Sequence, residues 1–368
     1  MLIDGPRAHE AMFAAMAAAN NHINLETYIL EAGEIGERLA ALLEKKVGEG
    51  VKVNVLYDGV GSIATPPEYF ARLRRAGVAV CEFNPAADVA KVNHRDHRKI
   101  LVVDGRTAFT GGINISASYK KSSAITRRET DKDQKEKAKE GWRDTQVQAE
   151  GPVTAQFQRL FLDSWALQDC GPAGPAAFFP PLQRRGDMEM RVVSADPVDH
   201  ESEMYAQLLA AIGRARSRVW LTVGYFVPDP VIKQALEGAA RRGIDVHLVV
   251  PGFSDFSAPV YAGRSSYAEL LAAGVRIHEW REALIHAKTA VIDSGWSSIG
   301  STNLDWRSFV HNYEADLIVL DAGFAREMEK RYRADVAAAV EIDPAAWNMR
   351  GTGEKLKEWF ARRWEYLL

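Results

Sequence analysis

Two cysteines in 368 residues, Cys81 and Cys170, are too few for a disulfide framework. Cys81 ends the apolar run Val78-Ala79-Val80-Cys81 and reads as a buried thiol, while Cys170 falls beside a segment rich in Pro and Gly. Two unpaired thiols imply a reducing compartment. No apolar run approaches the ~18 residues that cross a bilayer. The opening Met1-Leu2-Ile3-Asp4-Gly5-Pro6 has neither the basic start nor the apolar stretch of a signal peptide. Charge of one sign is missing too. Lys and Arg number 46 against 49 Asp and Glu, a net charge of −3, which gives no global attraction to nucleic acid. A long basic-aromatic track is also absent, which argues further against a nucleic-acid partner. His9, His22, His200, His247, His278 and His311 show no ligand spacing, so no metal site is expected. Apolar residues are plentiful at 47%, ample for a core, and the length suits two domains or one large duplicated unit.

One short pattern occurs twice. His97-Arg98-Lys99-Ile100-Leu101-Val102-Val103-Asp104 and His286-Ala287-Lys288-Thr289-Ala290-Val291-Ile292-Asp293 both read H-x-K-x4-D. Gly111 and Gly300 each follow their Asp by 7 residues, and Asn114 and Asn303 by 10. Matching trailers indicate a duplicated half. The apolar, β-branched stretches after each Lys read as buried strands. Positions i and i+2 of a strand share a face, so His97 projects with Lys99 and His286 with Lys288. His can attack, or give and take a proton, near neutral pH. Lys and Asn supply donors to anionic oxygens. Two His, two Lys and two Asn converging would form a cationic pocket suited to a phosphodiester. One His would attack phosphorus, giving a phosphohistidine, and the other would protonate the leaving oxygen. Asp104 and Asp293 close the patterns just before turns. They either complete the catalytic set or act as turn formers holding backbone amides.

The halves run in parallel. Helical patterns near 7–20, 34–48 and 67–76 alternate with strands near 22–30, 51–57 and 77–80. Helical patterns near 201–213, 229–242 and 260–273 alternate with strands near 218–227, 244–250 and 274–277. This predicts an α/β fold of two lobes with mixed sheets, related by an approximate twofold, sharing one site. The first half would span 1–170, with a helix over 153–167. A Pro/Gly linker would follow over 171–187, the second half over 188–343 and a helical segment over 344–368.

With these motifs the sequence resembles the phospholipase D superfamily, named for the HKD pattern, and within it the bacterial cardiolipin synthases. The likeness extends through Ile23-Asn24-Leu25-Glu26-Thr27-Tyr28, Gly111-Gly112-Ile113-Asn114, Trp142-Arg143-Asp144-Thr145, Tyr225-Phe226-Val227-Pro228-Asp229 and 300–309, with Asn312 and Glu314. It covers nearly the whole chain. The resemblance implies phosphatidyl transfer between phospholipids without a metal or other cofactor, at an anionic membrane surface. The substrates would be phosphatidylglycerol and a second phospholipid, phosphatidylglycerol itself or phosphatidylethanolamine. The expected place is peripheral, on the cytoplasmic side of the bacterial inner membrane. Related synthases often carry N-terminal spans, which have no counterpart here. Asp144 and Glu314 become the candidates for carboxylates that orient the catalytic imidazoles. His97 is taken as nucleophile and His286 as acid, then base. A hydrolase passing the phosphatidyl group to water, and a membrane scaffold with an unused site, are the alternatives. Oligomeric state is not legible.

Where the halves differ is informative. Asp144 follows its motif by 40 residues and Glu314 by 21, which places an insertion around 119–141 carrying eight Lys or Arg and five Asp or Glu. It reads as a solvated loop, with lipid head groups as a sharper alternative. Residues 354–368, EKLKEWFARRWEYLL, form an amphipathic helix that either lies in a bilayer interface or docks its apolar face on the protein. Docking is the expectation. His94 is expected to shape the site only. Arg98, opposite Ala287, is expected to be exposed or to face phosphate. Trp142, Trp165 and Trp220 read as core or lining, and Ser116 and Asp305 occupy equivalent positions with different chemistry.

Overall fold

The computed structural model describes residues 1–88, 91–124, 141–174, 177–197, 201–254 and 256–363. Its first half contributes β1 (Leu2–Ile3), β2 (His22–Thr27), β3 (Lys52–Asp58), β4 (Ala79–Phe83), β5 (Arg95–Asp96), β6 (Lys99–Val103), β7 (Thr107–Gly111) and β8 (Thr145–Glu150). With them come α1 (Asp4–Ala17), α2 (Glu34–Gly48), α3 (Pro67–Arg75) and α4 (Thr154–Leu167). The second half contributes β9 (Glu189–Asp196), β10 (Glu201–Ser202), β11 (Arg218–Thr222), β12 (Asp245–Pro251), β13 (Arg276–Trp280), β14 (Thr289–Ile292), β15 (Trp296–Gly300), β16 (Asn312–Leu320) and β17 (Val340–Glu341). Its helices are α5 (Glu203–Arg214), α6 (Pro230–Arg241), α7 (Ser257–Arg264), α8 (Tyr267–Ala273), α9 (Ala322–Ala338), α10 (Pro344–Asn348) and α11 (Thr352–Arg362).

The strand orders carry the duplication. One sheet runs β1-β8-β7-β6-β2-β3-β4, the other β10-β9-β16-β15-β14-β11-β12-β13-β17. Within them, β8-β7-β6-β2-β3-β4 repeats as β16-β15-β14-β11-β12-β13. In both, the first three chain-order strands pair in parallel and the HKD strand joins them antiparallel. Helices returning the chain between parallel strands leave each sheet covered, so its strands are apolar on both faces.

Alternation along the HKD strands sorts residues between two cores. Leu101 and Val103 pack under α1 and α2 with Ile23, Leu25, Val53 and Val55. Ile100 and Val102 point the other way and meet Val291, Ile299, Ala315 and Leu317 of the second sheet. A shared apolar layer thus joins the sheets. The chain between the halves clings to the first: Asn54 Nδ2 donates to the Ala173 carbonyl, and the Phe178 ring meets His22 edge-on.

Four expectations are corrected. Cys81 and Cys170 form a disulfide, with Cα atoms 5.7 Å apart across 89 residues of sequence, so they are not separate thiols. The packing of α4 against β4, through Phe161, Trp165, Leu56 and Phe83, brings them together. The pattern over 260–273 is two helices, α7 and α8, broken at Ser265 and Ser266. Arg98 is neither exposed nor phosphate-facing. It is buried and donates to the Glu314 carbonyl at 3.2 Å, Ser164 Oγ at 2.8 Å and the Ala195 carbonyl at 3.1 Å. A guanidinium with its donors filled this way joins the halves, which explains why Ala287 need not match it. Finally, α11 docks by its polar side. Glu358 is buried against Arg350 while Leu356, Trp359 and Phe360 face out. Residues 125–140, most of the basic insertion, and 364–368 lie outside the described residues.

Candidate active site

Each catalytic-motif histidine precedes its strand on an extended segment paired with the opposite half. β5 runs parallel to the start of β16, and the His97 amide donates to the Tyr313 carbonyl at 2.9 Å. In the mirror arrangement, Ile285 bridges Arg143 in parallel, and the His286 amide donates to the Arg143 carbonyl at 2.8 Å. The residue after each accepting carbonyl is an acid. This register sets His97 Nδ1 2.9 Å from Glu314 Oε2, and His286 Nδ1 2.8 Å from Asp144 Oδ2. The carboxylates are thus exchanged between the halves, as an approximate twofold requires. A carboxylate only accepts, so each Nδ1 carries the hydrogen and each Nε2 is left to the pocket. The His97 and His286 ring centroids lie 6.4 Å apart.

Lys99 and Lys288 lie deeper, where each ammonium donates to the carbonyl of its own motif histidine, His97 or His286. Tyr28 covers the first pair, 5.1 Å from the His97 ring and 5.2 Å from Lys99 Nζ. The Asn pair is also matched. Asn114 Oδ1 accepts from the Ile29 amide and Asn303 Oδ1 from the Tyr225 amide, both at 3.1 Å. With each oxygen so held, the amide nitrogen is the end each Asn can turn toward an anion. His97, His286, Asn114 and Asn303 all line one pocket of about 470 Å³. A larger cleft of about 880 Å³, lined by Arg7, Glu282 and Arg331, contains none of the motif residues.

Asp104 and Asp293 are not in this pocket. Asp104 accepts from the amides of Asn20, Asn21 and His22 at 2.8 to 2.9 Å, and Asp293 from those of Arg216, Ser217 and Arg218 at 2.7 to 3.0 Å. Both have positive φ, 53° and 52°, a conformation Asp tolerates better than most residues. The last residue of each pattern therefore ties the turn after the HKD strand to the entry of β2 or β11. Of the two roles open to it, this is the turn-forming one.

Burial governs the protonation of the rest. Desolvation, then Lys99 and Lys288, pushes His97 well below the ordinary imidazole range. Desolvation and Lys288 lower His286 to about 4, against the hydrogen bond to Asp144. Burial raises Glu314 to about 7 and lowers Lys99 to about 7. Two neutral imidazoles with Nε2 lone pairs therefore face the pocket at neutral pH.

Of the wall residues, Arg95 had no sequence signal to single it out, while Tyr225, Arg307 and Asn312 fell in segments that carry the family likeness without being given a role. Tyr119, buried behind the wall, was not singled out either. Its hydroxyl lies 3.1 Å from His286 Nδ1 and donates to the Gly112 carbonyl at 3.1 Å. Tyr119 lies eight positions past the end of β7, in a segment with no periodicity, so only the tertiary fold reveals it. Trp142 does line the pocket, 5.1 Å from the His286 ring. His94 meets the His311 carbonyl at 3.3 Å, outside the reacting groups. Ser116 and Asp305, unlike in chemistry, both accept from a backbone amide just ahead of them, Ser118 at 3.1 Å and Ser308 at 2.7 Å.

Residues 12–124 and 208–336 match the family described as cardiolipin synthase, PLD-like domain. The chain belongs to this family. It is 34% identical over 348 residues to cardiolipin synthase A of Pseudomonas aeruginosa strain LESB58, covering 94% of this chain and 68% of the relative. The corresponding protein of Pseudomonas fluorescens strain SBW25 is 37% identical, with 93% and 69% covered. Among solved structures, the phosphatidylserine synthase of Haemophilus influenzae Rd KW20 superposes with a TM-score of 0.70 at 12% identity, over 99% of this chain and 94% of that one. This last likeness is one of fold, and the duplicated α/β lobes agree with it. The cardiolipin synthase family is one of enzymes of the phospholipase D superfamily, and this chain is an enzyme of that kind acting on phospholipids.

Proposed function

We propose that the chain is a phosphatidyltransferase that makes cardiolipin from phosphatidylglycerol and a second phospholipid. The observation that carries the reading is the exchanged pair of carboxylate-held histidines facing one pocket. His97 Nε2 attacks the phosphorus of the donor, and the glycerol oxygen departs with a proton from His286. The resulting phosphatidyl-His97 is resolved by the acceptor's hydroxyl, with His286 now taking the proton. Asn114 and Asn303 donate to non-bridging oxygens, and Lys99 and Lys288 supply positive charge from below. Asp144 and Glu314 fix the tautomers and stabilise the imidazolium each ring becomes. Burial and the same two lysines lower both rings, but the hydrogen bond to Asp144 offsets this at His286, which favours His97 as nucleophile. His286 must gain a proton before it can act as acid. The phosphodiester itself brings the negative charge that raises its pKa. Asp104 and Asp293 support the strands and take no chemical step.

In this reading 1–170 and 188–343 are the duplicated units, 171–187 the linker and 344–368 an appended helical segment; the repeated strand order supports it. The protein associates peripherally with a bacterial membrane and an anionic lipid surface. Among the described residues no helix is long and apolar enough to cross one. The reducing compartment expected from two unpaired thiols loses its support with the Cys81–Cys170 bridge, while the cytoplasmic side remains the place that the family resemblance implies. The test is mass spectrometry of the lipids formed in vesicles holding both phosphatidylglycerol and phosphatidylethanolamine. Diphosphatidyl lipid supports transfer to a lipid acceptor. Phosphatidic acid alone means that water is the acceptor and the protein is a hydrolase.

A further inference from the structure

Helix α11 presents the wrong face to solvent for a docking helix. It meets the protein through Glu358, 5% exposed and paired with Arg350, and through Lys357, whose ammonium lies 5.6 Å from the Tyr261 ring. Leu356, Trp359 and Phe360 recur at helical spacing on the outer side and are 64%, 54% and 62% exposed. Met349, 80% exposed, precedes them. Soluble surfaces scatter such residues singly; a contiguous set on one helix face marks an interaction site.

Three observations indicate what covers it. First, the helix is flanked by cations. Lys355, Lys357, Arg362 and Arg363 stand against Glu354 and Glu358, and both acids are engaged, by Lys357 and Arg350. Arg363 lies over the Trp359 ring at 4.5 Å, which places a cation beside the apolar face. Second, α11 packs on α7, and α7 starts at the pocket wall: Phe256 and Pro259 line the catalytic pocket. Third, Phe256 is itself 56% exposed, and Ile63, close in sequence to wall residues Val60 and Gly61, is exposed as well.

We infer that α11 is an interfacial anchor whose Leu356, Trp359 and Phe360 enter the head-group and acyl boundary of an anionic bilayer, with Phe256 and Ile63 touching the same surface at the pocket mouth. Leu, Trp and Phe on one face with basic residues beside them are the composition of helices that lie in the plane of such an interface. The inference rests on the phospholipid-transfer reading for its choice of partner. The anchor holds the pocket against the layer in which its substrates reside.

The test uses the full chain and co-sedimentation with phosphatidylcholine vesicles, with and without phosphatidylglycerol. Replacing Leu356, Trp359 and Phe360 together by Ser should weaken partition by about tenfold or more, since it removes most of the apolar area that would enter the boundary. Arg362→Glu with Arg363→Glu should weaken binding to the phosphatidylglycerol vesicles and leave phosphatidylcholine binding nearly unchanged. Both variants should turn over a short-chain phospholipid, dissolved below its micelle concentration, at the parental rate, and melt at the parental temperature. Unchanged partition of the triple variant overturns the inference. A lower melting temperature with unchanged partition assigns the face to packing. A parental dimer that the triple variant dissociates, with unchanged partition, assigns it to a second copy. Lost partition in a protein that shows no transfer on any lipid upholds the anchor and removes the transfer reading instead.

Discussion

Asp144→Asn isolates the electrostatic half of the mechanism. Asp144 Oδ1 accepts from the Thr145 amide at 2.7 Å while Oδ2 accepts from His286 Nδ1 at 2.8 Å. An asparagine that keeps its oxygen on Thr145 must turn its NH2 group toward His286. Nδ1 then becomes an acceptor, and the ring proton moves to Nε2. Such a ring can still donate into the pocket but cannot take a proton from an acceptor hydroxyl. The opposite amide orientation sets NH2 against the Thr145 amide and leaves two donors facing each other. Charge is lost in either case. Two unit charges about 4 Å apart attract by about 4 kcal/mol at an effective dielectric of about 20. Tyr119 remains on Nδ1 and retains part of the support. A loss of about 3 kcal/mol in the transition state lowers kcat by roughly 100-fold or more. The assay is transfer rate in mixed vesicles across pH, with melting temperature as the control, since Asn is isosteric. The limb governed by His286 should shift to lower pH, because the imidazolium has lost its counter-charge. Retention of more than about a third of the parental kcat would refute the orienting role.

Other expectations follow from the same geometry. Glu314→Gln should slow formation of the covalent intermediate by a similar factor, read by rapid-quench labelling, because its partner is His97. Asp293→Ala leaves three backbone amides without their acceptor. It should cost about 1–2 kcal/mol of stability in denaturant titration while leaving kcat within about twofold. Burial opposes ionisation of Asp293, but the amides of Arg218, Arg216 and Ser217 hold its carboxyl below the usual value. That contribution is present above the unfolded pKa and is lost as pH falls through the folded one, so the variant should lose less stability than its parent on acidification. Phosphate-analogue binding should tighten as pH falls from about 8 to 6, because the anion raises the pKa of neutral His286; calorimetry in buffers of differing ionisation enthalpy should register proton uptake. Cys81→Ser should lower stability by about 2–4 kcal/mol under non-reducing conditions, since it opens a long loop.

The duplicated fold was legible because the code for it is local. Apolar, β-branched runs after Lys99 and Lys288, and helix-period segments between strands, predict elements that recur in both sheets. The convergence of His97, His286, Asn114 and Asn303 on one pocket was legible from the matched spacings of the two halves, whereas the period of two did not show that Lys99 and Lys288 lie deeper. What joins the halves was not legible. That Glu314 serves His97 and Asp144 serves His286 depends on β5 pairing with β16 and on Ile285 bridging Arg143, contacts separated by more than 140 residues. Arg98 misled for a related reason: a cation beside a catalytic motif suggests phosphate, yet its donors are filled by Glu314, Ser164 and Ala195. Cys81 and Cys170 gave no pairing signal because only the packing of α4 brings them together. In α11 the amphipathic pattern was correctly visible, but periodicity cannot say which face is docked, and there the polar side won through Glu358 and Arg350.

The claim that both halves build one site, with His97 attacking and His286 serving it, is tested most directly by trapping the intermediate. Parent, His97→Ala and His286→Ala proteins are incubated with phosphatidylglycerol labelled in its donor phosphate, quenched in alkali and mapped for phosphohistidine. The account predicts label at His97 that persists in His286→Ala, where resolution by the acceptor is slowed, and no label in His97→Ala. Label in His97→Ala at His286, with none in His286→Ala, would reverse the assignment. Full turnover by either variant would contradict the composite site itself.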